Sequence, residues 1–347
     1  MAATGFRVWP RIAIIGAGVA GLTAARHLHD QRMSVQVFDK GRGPGGRLST
    51  RRTEDMGSFD HGAQFFSARD PRFVALVAQW QVSGLVAPWE GRFVRIADGL
   101  MVPDQPKTRL VGVPNMNAIA CHLAKDLTIH QGILVSDVIR EQGVWLLYDS
   151  NGTDLGAFDF VIVNTPTVQA GHLLAAAPAL ADQAASVTYA PGWAVMALWD
   201  EPLPLPFDAA TVEGHPLGWL ARNSSKPGRP PGERWVLHGS ADWSTAHLED
   251  SRESVAADLI DALQTLSDEP LPPPDRVLAH RWRYAIPLGV TAEPCLYDPL
   301  LGLGACGDWG VGPRIEGAYL SGLSMAERVM GHSRPSATDA GPSSDQP

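Results

Sequence analysis

Residues 12–30, IAIIGAGVAGLTAARHLHD, carry the strongest indication of the fold. Four consecutive apolar residues end in the spacing Gly16-x-Gly18-x-x-Gly21, and apolar residues then recur at helical spacing. A second apolar run, at residues 34–38, ends in Asp39. Strand, glycine turn, helix and strand in this order predict the opening of a doubly wound α/β domain.

The glycine turn predicts a phosphate site. Glycines let backbone N–H groups approach a diphosphate closely, and the N-terminus of the following helix adds positive potential. Asp39, at the end of the second strand, is placed to accept the hydroxyls of an adenosine ribose. The pattern therefore predicts a bound dinucleotide, but it serves FAD and NAD alike. The alternative is a glycine-rich turn beside a merely solvated aspartate.

Three further segments favour FAD: Arg42-Gly43-Pro44-Gly45-Gly46-Arg47, Asp60-His61-Gly62-Ala63-Gln64-Phe65, and Gly307-Asp308 followed by Pro313-Arg314-Ile315-Glu316-Gly317-Ala318. Arg47 is suited to cover a pyrophosphate, and small residues at 62–63 allow a ring to lie against the backbone. Asp308 suits a sugar-alcohol chain. A helix beginning near Ile315 would direct its positive end at a ring that gains negative charge. A surface basic loop and a tight strand end are the plain alternatives for the first two segments.

Composition excludes several classes of protein. The 347 residues are 45% apolar, which is incompatible with a largely disordered chain. A net charge of −9 argues against nucleic-acid and anionic-membrane partners. No apolar run reaches the roughly 20 residues of a membrane span. Arg7 and Arg11 precede an apolar run as in a secretory signal, but the glycine spacing favours a nucleotide fold.

Cysteine and histidine spacing narrows the chemistry. Cys121, Cys295 and Cys306 form no CxxC pair, which suggests a reducing cytoplasm as the location. No Cys/His cluster has the spacing of metal ligands, so no metal is predicted. No GxSxG elbow supplies a serine nucleophile.

The chain divides into alternating parts. A cofactor domain is expected in three pieces, at residues 8–70, 115–186 and 296–331. Between them we expect a substrate-side insertion at 71–114 and, at 187–295, a substrate domain of antiparallel sheet with one covering helix. Residues 332–347 are expected to be a disordered tail. Helices are expected at 71–83, 115–127 and 166–185, and Asn151-Gly152 predicts a hairpin.

Together these motifs resemble the flavin amine oxidase superfamily, and more closely its bacterial renalase-like branch. The resemblance rests on Phe38-Asp39-Lys40, Gly62-Ala63-Gln64-Phe65-Phe66-Ser67, Trp282-Arg283-Tyr284-Ala285 and Gly307-Asp308-Trp309. It implies an α/β, two-domain glutathione-reductase-like fold, in which a Rossmann-type domain carries an antiparallel-sheet substrate domain. It also implies non-covalent FAD, held at Gly16, Gly18, Ala20, Gly21, Asp39, Lys40, Arg47, Gln64, Phe65, Val138 (through its backbone to adenine), Asp308, Glu316 and Gly317.

Renalase-like enzymes oxidise the 2- and 6-dihydro isomers of NAD(P)H to NAD(P)+ and pass the electrons to O2 as peroxide. The resemblance therefore implies a small dihydronicotinamide and O2 as partners, with hydride transfer to flavin N5. No cysteine is placed for a covalent flavin link, and no aromatic pair that would cage an amine is recognisable, which both favour this branch. An amine oxidase or desaturase remains the alternative enzyme, and a non-catalytic FAD module the alternative from another class.

The candidate catalytic residues are His61, Gln64, His238, Trp282 and Arg283, with Trp193 and Tyr284 as further wall residues. Trp282 is suited to stack on a ring and Arg283 to meet a carboxamide or phosphate. Each also has a structural alternative, since a tryptophan in a sheet usually belongs to the core and a single histidine is usually a satisfied one.

Overall fold

The computed structural model describes residues 10–333. Its strands are β1 (Arg11–Ile15), β2 (Ser34–Asp39), β3 (Thr50–Thr53), β4 (Gly57–Asp60), β5 (Val86–Pro88), β6 (Phe93–Ala97), β7 (Leu100–Pro103), β8 (Leu110–Gly112), β9 (Thr128–Gln131), β10 (Val135–Glu141), β11 (Val144–Asp149), β12 (Asp154–Phe158), β13 (Phe160–Val163), β14 (Thr188–Trp199), β15 (Ala209–Val212), β16 (Leu217–Arg222), β17 (Glu233–Gly239), β18 (Arg276–Leu288), β19 (Leu296–Asp298) and β20 (Leu303–Ala305). Its helices are α1 (Val19–Asp30), α2 (Pro71–Val82), α3 (Ala118–Leu123), α4 (Thr167–Leu173), α5 (Pro178–Ala185), α6 (Ala241–Ala246), α7 (Arg252–Gln264) and α8 (Ile315–Ser333).

A six-stranded sheet in the order β19-β20-β13-β1-β2-β9 forms the centre of the first domain. The central strand β1 runs parallel to both β13 and β2, so the carboxyl ends of these strands share one edge. Alternation along β1 sends Ile12 and Ile14 toward α1 and α8, and Ala13 and Ile15 toward β10–β12 and α4–α5. Both faces are covered, as a parallel sheet requires.

A seven-stranded sheet in the order β18-β14-β17-β16-β15-β6-β7 forms the second domain. One face packs on α7, where Val195 and Leu237 meet Leu259. The β3–β4 hairpin lies on the opposite face through Phe59 against Met196. The second domain therefore has a helix-covered face and a face turned toward the first domain.

The α/β fold with a Rossmann-like domain is confirmed, and β11–β12 form the hairpin expected at Asn151-Gly152. Two expected helices differ from the structure. The helix expected at 115–127 is only α3: residues 115–117 form a turn bonded to the β3–β4 hairpin through the N–H groups of Met116 and Asn117, and the positive φ of Asp126 (+62°) ends the helical conformation before Leu127. The helix expected at 166–185 breaks into α4 and α5, since Pro178 cannot donate a helical hydrogen bond.

No sequence pattern predicts β6, β7 and β15, the short strands that extend the second sheet. The domain boundaries stay a prediction. His332 and Ser333 still belong to α8, and the rest of the expected tail lies outside the described residues. None of the helices in residues 10–333 is long and apolar enough to cross a membrane.

Candidate active site

A cavity of about 1710 Å³ lies between the two sheets. It reaches from the β1–α1 turn, past the β2–β3 loop and the β4–α2 loop, to β14, β17 and β18. Ligand pockets usually measure roughly 300–1,000 Å³. This cavity therefore has room for a dinucleotide and a second molecule beside it.

Two glycine segments face each other across a gap at one end of the cavity. Gly16 has φ +111°, and a Cβ there would lie 2.2 Å from the carbonyl oxygen of Asn164. Gly46 has φ +54°, and a Cβ there would meet Gly18 Cα at 3.7 Å with no closer neighbour. The Oδ1 atom of Asn164 is buried there without a partner in the described chain. The bare backbone at Gly16 and Gly46 fits the diphosphate of a dinucleotide, whereas the Asn164 amide oxygen can only accept a hydrogen bond and does not bind phosphate.

The carboxylate of Asp39 is held rigidly at the end of β2. It accepts the N–H groups of Ala17 at 2.5 Å and Gly41 at 2.6 Å. The neighbouring Lys40 donates to Gln169 on α4 at 3.3 Å. Both residues line the cavity, on the side where the sequence predicts the adenosine ribose.

Arg47 and Asp308 bind each other. The guanidinium donates to the two carboxylate oxygens at 2.8 and 2.7 Å and to the carbonyl of Ala285 at 3.0 Å. The sequence predicts separate contacts, Arg47 to a pyrophosphate and Asp308 to a sugar alcohol. Both residues line the cavity, together with Gly307 and Ile315, but the ion pair that ties the β2–β3 loop to the segment before α8 was not foreseen.

Four of the predicted cofactor residues do not line the cavity: Gly21, Val138, Glu316 and Gly317. That they touch the cofactor stays a prediction. Gly21 and Gly317 are sites of close backbone packing, since a Cβ would lie 2.4 Å and 2.2 Å from a carbonyl oxygen. The carboxylate of Glu316 accepts the N–H groups of Arg69 and Asp70 at 2.6 and 2.8 Å. In place of Val138 the residues at the start of β10, Leu134, Val135 and Ser136, line the cavity.

The far end of the cavity is built by strand register. Trp219 on β16 lies opposite His238 on β17, which lies opposite Ala194 on β14, which lies opposite His280 on β18. Directly paired residues project from the same face of a sheet. The small side chain of Ala194 separates two imidazoles, and the whole row faces the first domain.

His61 lies over this row. Its ring is edge-on to His280 at 4.7 Å and tilted against Trp282 at 5.0 Å. Its carbonyl oxygen accepts the indole N–H of Trp282 at 2.9 Å and lies 3.3 Å from Nε2 of His238. The structure thus brings together three predicted residues, His61, His238 and Trp282. His280 on β18 joins them, although no sequence motif singles it out.

The three imidazoles are neutral at physiological pH. Burial lowers the pKa of His61 to about 3, with further contributions from His280 and Arg51. Burial also lowers the pKa of His238 and of His280 to about 4. This end of the cavity is therefore aromatic and uncharged except for nearby arginines.

Gln64 is held by a buried charge network that the sequence did not reveal. Lys226 donates to Gln64 Oε1 at 2.9 Å, and burial lowers the pKa of this lysine to about 8. Asp60 accepts from Arg229 at 2.6 Å and lies 3.6 Å from the Lys226 ammonium. The Gln64 amide nitrogen donates to the carbonyls of Asp60 and Gly62. Every polar atom of this amide is bonded to protein, so Gln64 forms part of the cavity wall, with Gly62, Ala63 and Phe65 beside it.

The remaining candidate residues have protein partners. Arg283 binds the Glu249 carboxylate at 2.6 and 3.1 Å at the cavity rim. Tyr284 packs edge-on to Tyr189 at 5.8 Å. The ring of Trp193 belongs to the core on the helix-covered face of the second sheet, with its N–H bonded to the carbonyl of His247. Trp193 is also among the residues that line the cavity, so its place in the wall stays a prediction.

The cavity lining is strongly basic. Its cationic residues are Lys40, Arg42, Arg47, Arg51, Arg52, Arg281, Arg283 and Arg314, whereas Asp39 and Asp308 are its acidic residues in the described part of the chain. Both carboxylates are already bonded, one to backbone N–H groups and the other to Arg47. A lining with this charge attracts phosphorylated ligands.

The buried imidazoles predict a loss of stability in mild acid. The unfolded chain protonates histidine near pH 6.5, whereas native His61 and His238 stay neutral to pH 3–4. Their contribution is therefore complete above pH 6.5 and declines as pH falls toward 4, by about 2 kcal/mol each at pH 5. Urea unfolding at pH 7 and pH 5 measures it. We expect H61Q/H238Q to reduce the loss at pH 5 by about 4 kcal/mol and to keep the part that comes from His280, whereas H29Q, on helix α1, should behave as wild type; equal slopes in both would contradict the assignment.

Comparison with known proteins agrees with this architecture. The model of an NAD(P)-binding Rossmann-like domain matches residues 14–80, and that of the flavin containing amine oxidoreductases matches residues 90–330. A solved protein assigned as a protoporphyrinogen oxidase from Exiguobacterium sp. 255-15 superposes with a TM-score of 0.76 at 14% identity, over 95% of this chain and 99% of that one. Cyclohexylamine oxidase from Brevibacterium oxydans IH-35A gives a TM-score of 0.71 at 14% identity, over 92% and 98%.

Sequence relatives are similar only in part. A zeta-carotene-forming phytoene desaturase from Myxococcus xanthus is 60% identical over 39 residues, 11% of this chain and 8% of the relative. An L-amino acid dehydrogenase from Synechocystis sp. (strain ATCC 27184 / PCC 6803 / Kazusa) is 31% identical over 86 residues, 25% of this chain and 18% of the relative. The matches thus span less than a fifth of these relatives' lengths.

The fold and the site define a two-domain flavoprotein oxidoreductase. Because the second family model covers more than half of its length, the chain belongs to the flavin containing amine oxidoreductases. Membership implies a flavin cofactor. Within residues 10–333 no group of three metal-ligating side chains is arranged to hold a metal ion.

Proposed function

We propose that this enzyme oxidises the 2- and 6-dihydro isomers of NAD(P)H to NAD(P)+, with non-covalently bound FAD as the hydride acceptor and O2 as the final oxidant. The basic cavity lining carries this proposal. A dinucleotide substrate brings at least two phosphate charges in addition to those of FAD. Five of the eight cationic side chains in the described lining have no carboxylate partner, and both lining carboxylates are already bonded, which suits two anionic nucleotides in one cavity.

The same lining disfavours an amine. Most amines are protonated at neutral pH, and a buried site for a cation needs a carboxylate or an unobstructed aromatic face. Asp39 and Asp308 are both bonded to other groups, and the guanidinium of Arg51, unpaired within the described residues, would repel the substrate. We therefore place amine oxidation second.

The uncharged end of the cavity suits a nicotinamide. A dihydronicotinamide loses a hydride without losing a proton, so no general base is required of the imidazoles. Its product ring is cationic, and neutral His61 and His238 do not oppose that charge. Trp282, fixed by its bond to the His61 carbonyl, has the rings of His61 and His280 against it, so the nicotinamide would lie beside this aromatic cluster.

FAD fits the rest of the cavity. The glycine gap at Gly16 and Gly46 would hold its diphosphate, Asp39 its ribose, and Gly62 and Ala63 its ring. Bound there, FAD supplies the two-electron acceptor that side chains lack. In the described part of the chain no cysteine lines the cavity, which supports a non-covalent cofactor.

Peroxide formation tests the proposal. We expect the purified holoenzyme to consume O2 and form peroxide with 2-dihydro- and 6-dihydro-NAD(P), yielding NAD(P)+. We expect at least about a hundredfold lower kcat/KM with ordinary 4-dihydro-NAD(P) and with primary amines, a difference of about 2.7 kcal/mol in transition-state stabilisation. Turnover of amines alone would assign an amine oxidase. No turnover of any of these compounds by a fully FAD-loaded protein would favour the non-catalytic module.

A further inference from the structure

We propose that Arg51 binds a phosphate group of the substrate, so that it selects phosphorylated dihydronicotinamides over the bare ring compound. This inference rests on the proposed function and deepens it, because it names the residue that would recognise the nucleotide part of the substrate.

The β3–β4 hairpin directs Arg51 at the second domain. Arg51 lies directly opposite Phe59 in the antiparallel pair, so the two side chains project from the same side of the hairpin. Phe59 packs on Met196 and Val236, which belong to the face of the seven-stranded sheet that carries His238. Arg51 therefore lines the cavity where the hairpin meets the substrate end.

Arg51 is close to the imidazoles at this end. After burial, which is the largest cause, the charge of Arg51 contributes to lowering the pKa of His280 and of His61. This influence reaches both rings that contact Trp282. The guanidinium thus belongs to the substrate end of the cavity, where the nicotinamide is proposed to lie.

Arg51 differs from the neighbouring arginines because its charge is not compensated. Arg47 binds Asp308, Arg52 donates to Asn117, and Arg283 binds Glu249. In residues 10–333, by contrast, no side-chain nitrogen of Arg51 has a hydrogen-bond or ion-pair partner, and its Nε atom is buried.

A partly buried cation without a counterion is costly unless a ligand supplies the charge. Arg42 and Arg314 also line the cavity without a partner, but both are exposed to water, which solvates them. A guanidinium presents paired N–H donors that match two oxygens of a phosphate. The chemistry that completes this site is therefore a phosphoryl group, carried either by the diphosphate of the dinucleotide or by the 2′-phosphate of an NADP-type substrate.

The test compares R51Q with R276Q in the FAD-loaded protein. Arg276 is an exposed arginine on β18, paired with exposed Asp55 at 3.7 Å and outside the cavity lining, so it matches the charge change. Calorimetric titration with NAD+ and NADP+ measures binding, and steady-state kinetics measure KM for the dihydro isomers and for N-methyl-1,6-dihydronicotinamide, which has no phosphate.

We expect R51Q to raise the Kd of the dinucleotides and the KM of their dihydro forms by about 10- to 100-fold, the usual effect of losing a charge-assisted contact. R51K, which keeps the charge without the paired donors, should fall between. The KM of the N-methyl compound should stay within about twofold, and R276Q should behave as wild type. An effect on NAD and NADP forms alike identifies the diphosphate, and an effect on NADP forms alone identifies the 2′-phosphate.

Other outcomes overturn the inference. Unchanged dinucleotide binding by R51Q, or an equal loss for the N-methyl compound, excludes phosphate recognition by Arg51. Loss of FAD from R51Q, seen as a lower ratio of absorbance at 450 nm to that at 280 nm, would assign Arg51 to the cofactor instead. Failure of the proposed function looks different, since wild-type protein would then leave the dihydro isomers unoxidised whatever the calorimetry shows for Arg51.

Discussion

We expect D60N to lower the free energy of unfolding by about 3–5 kcal/mol. Asp60 is buried, accepts from Arg229 and lies 3.6 Å from the Lys226 ammonium. Burial alone would raise the pKa of this carboxyl, but the charges of Lys226 and Arg229 hold it below its usual value. A neutral amide would leave two buried cations facing each other without a counterion. Urea unfolding followed by far-ultraviolet circular dichroism at pH 7 measures the loss.

D55N is the matched control for this prediction. Asp55 lies in the turn of the same hairpin, is exposed, and approaches Arg276 no closer than 3.7 Å. We expect the control to change stability by less than about 0.5 kcal/mol, as exposed ion pairs usually do. Removing one of the stranded cations as well, in D60N/K226M, should recover part of the stability. A loss below about 1 kcal/mol in D60N would show that the buried charges do not depend on Asp60.

We expect G46A to lower the affinity for FAD by at least tenfold, about 1.4 kcal/mol. The new methyl group would enter the gap between Gly46 and Gly18, 3.7 Å from Gly18 Cα, where the diphosphate is proposed to lie. The left-handed φ of +54° adds a strain of roughly 1–2 kcal/mol. Titration of the apoprotein with FAD, followed by quenching of flavin fluorescence, gives the Kd.

G99A separates strain from obstruction. Gly99 has φ +74° in the β6–β7 turn, and a Cβ there would meet nothing within 4 Å. The control therefore carries a similar backbone strain far from the glycine gap, and we expect it to bind FAD as wild type does. Equal FAD affinity in the two variants would contradict the placement of the diphosphate at Gly46.

Local patterns predict the first domain well because its decisive features are close in sequence. The run from Ile12 to Asp39 carries strand, turn, helix and strand periodicity without reference to distant residues. The helix expected at 115–127 is shorter because residues 115–117 form a turn bonded to the β3–β4 hairpin and Asp126 has a left-handed φ of +62°. A local pattern contains no information about a partner hairpin that lies far away in sequence.

The substrate end depends on long-range register. Trp219, His238 and His280 lie 19 and 42 residues apart in sequence and form one row only because β17 pairs with β16 and β14, and β14 pairs with β18. Lys226 follows two serines and precedes a proline, a composition typical of a solvated loop, and only the packing of that loop on β4 buries it. Such pairings are decided by the whole fold.

Anaerobic reduction of the bound flavin shows directly whether 2- and 6-dihydro-NAD(P) are the hydride donors. The yellow protein is mixed without O2 with 2-dihydro-, 6-dihydro- or 4-dihydro-NAD(P), or with a panel of amines, and the absorbance at 450 nm is followed in time. We expect rapid bleaching of the flavin by the 2- or 6-dihydro isomers alone, with release of NAD(P)+. Bleaching by amines, with none by these isomers, would contradict it.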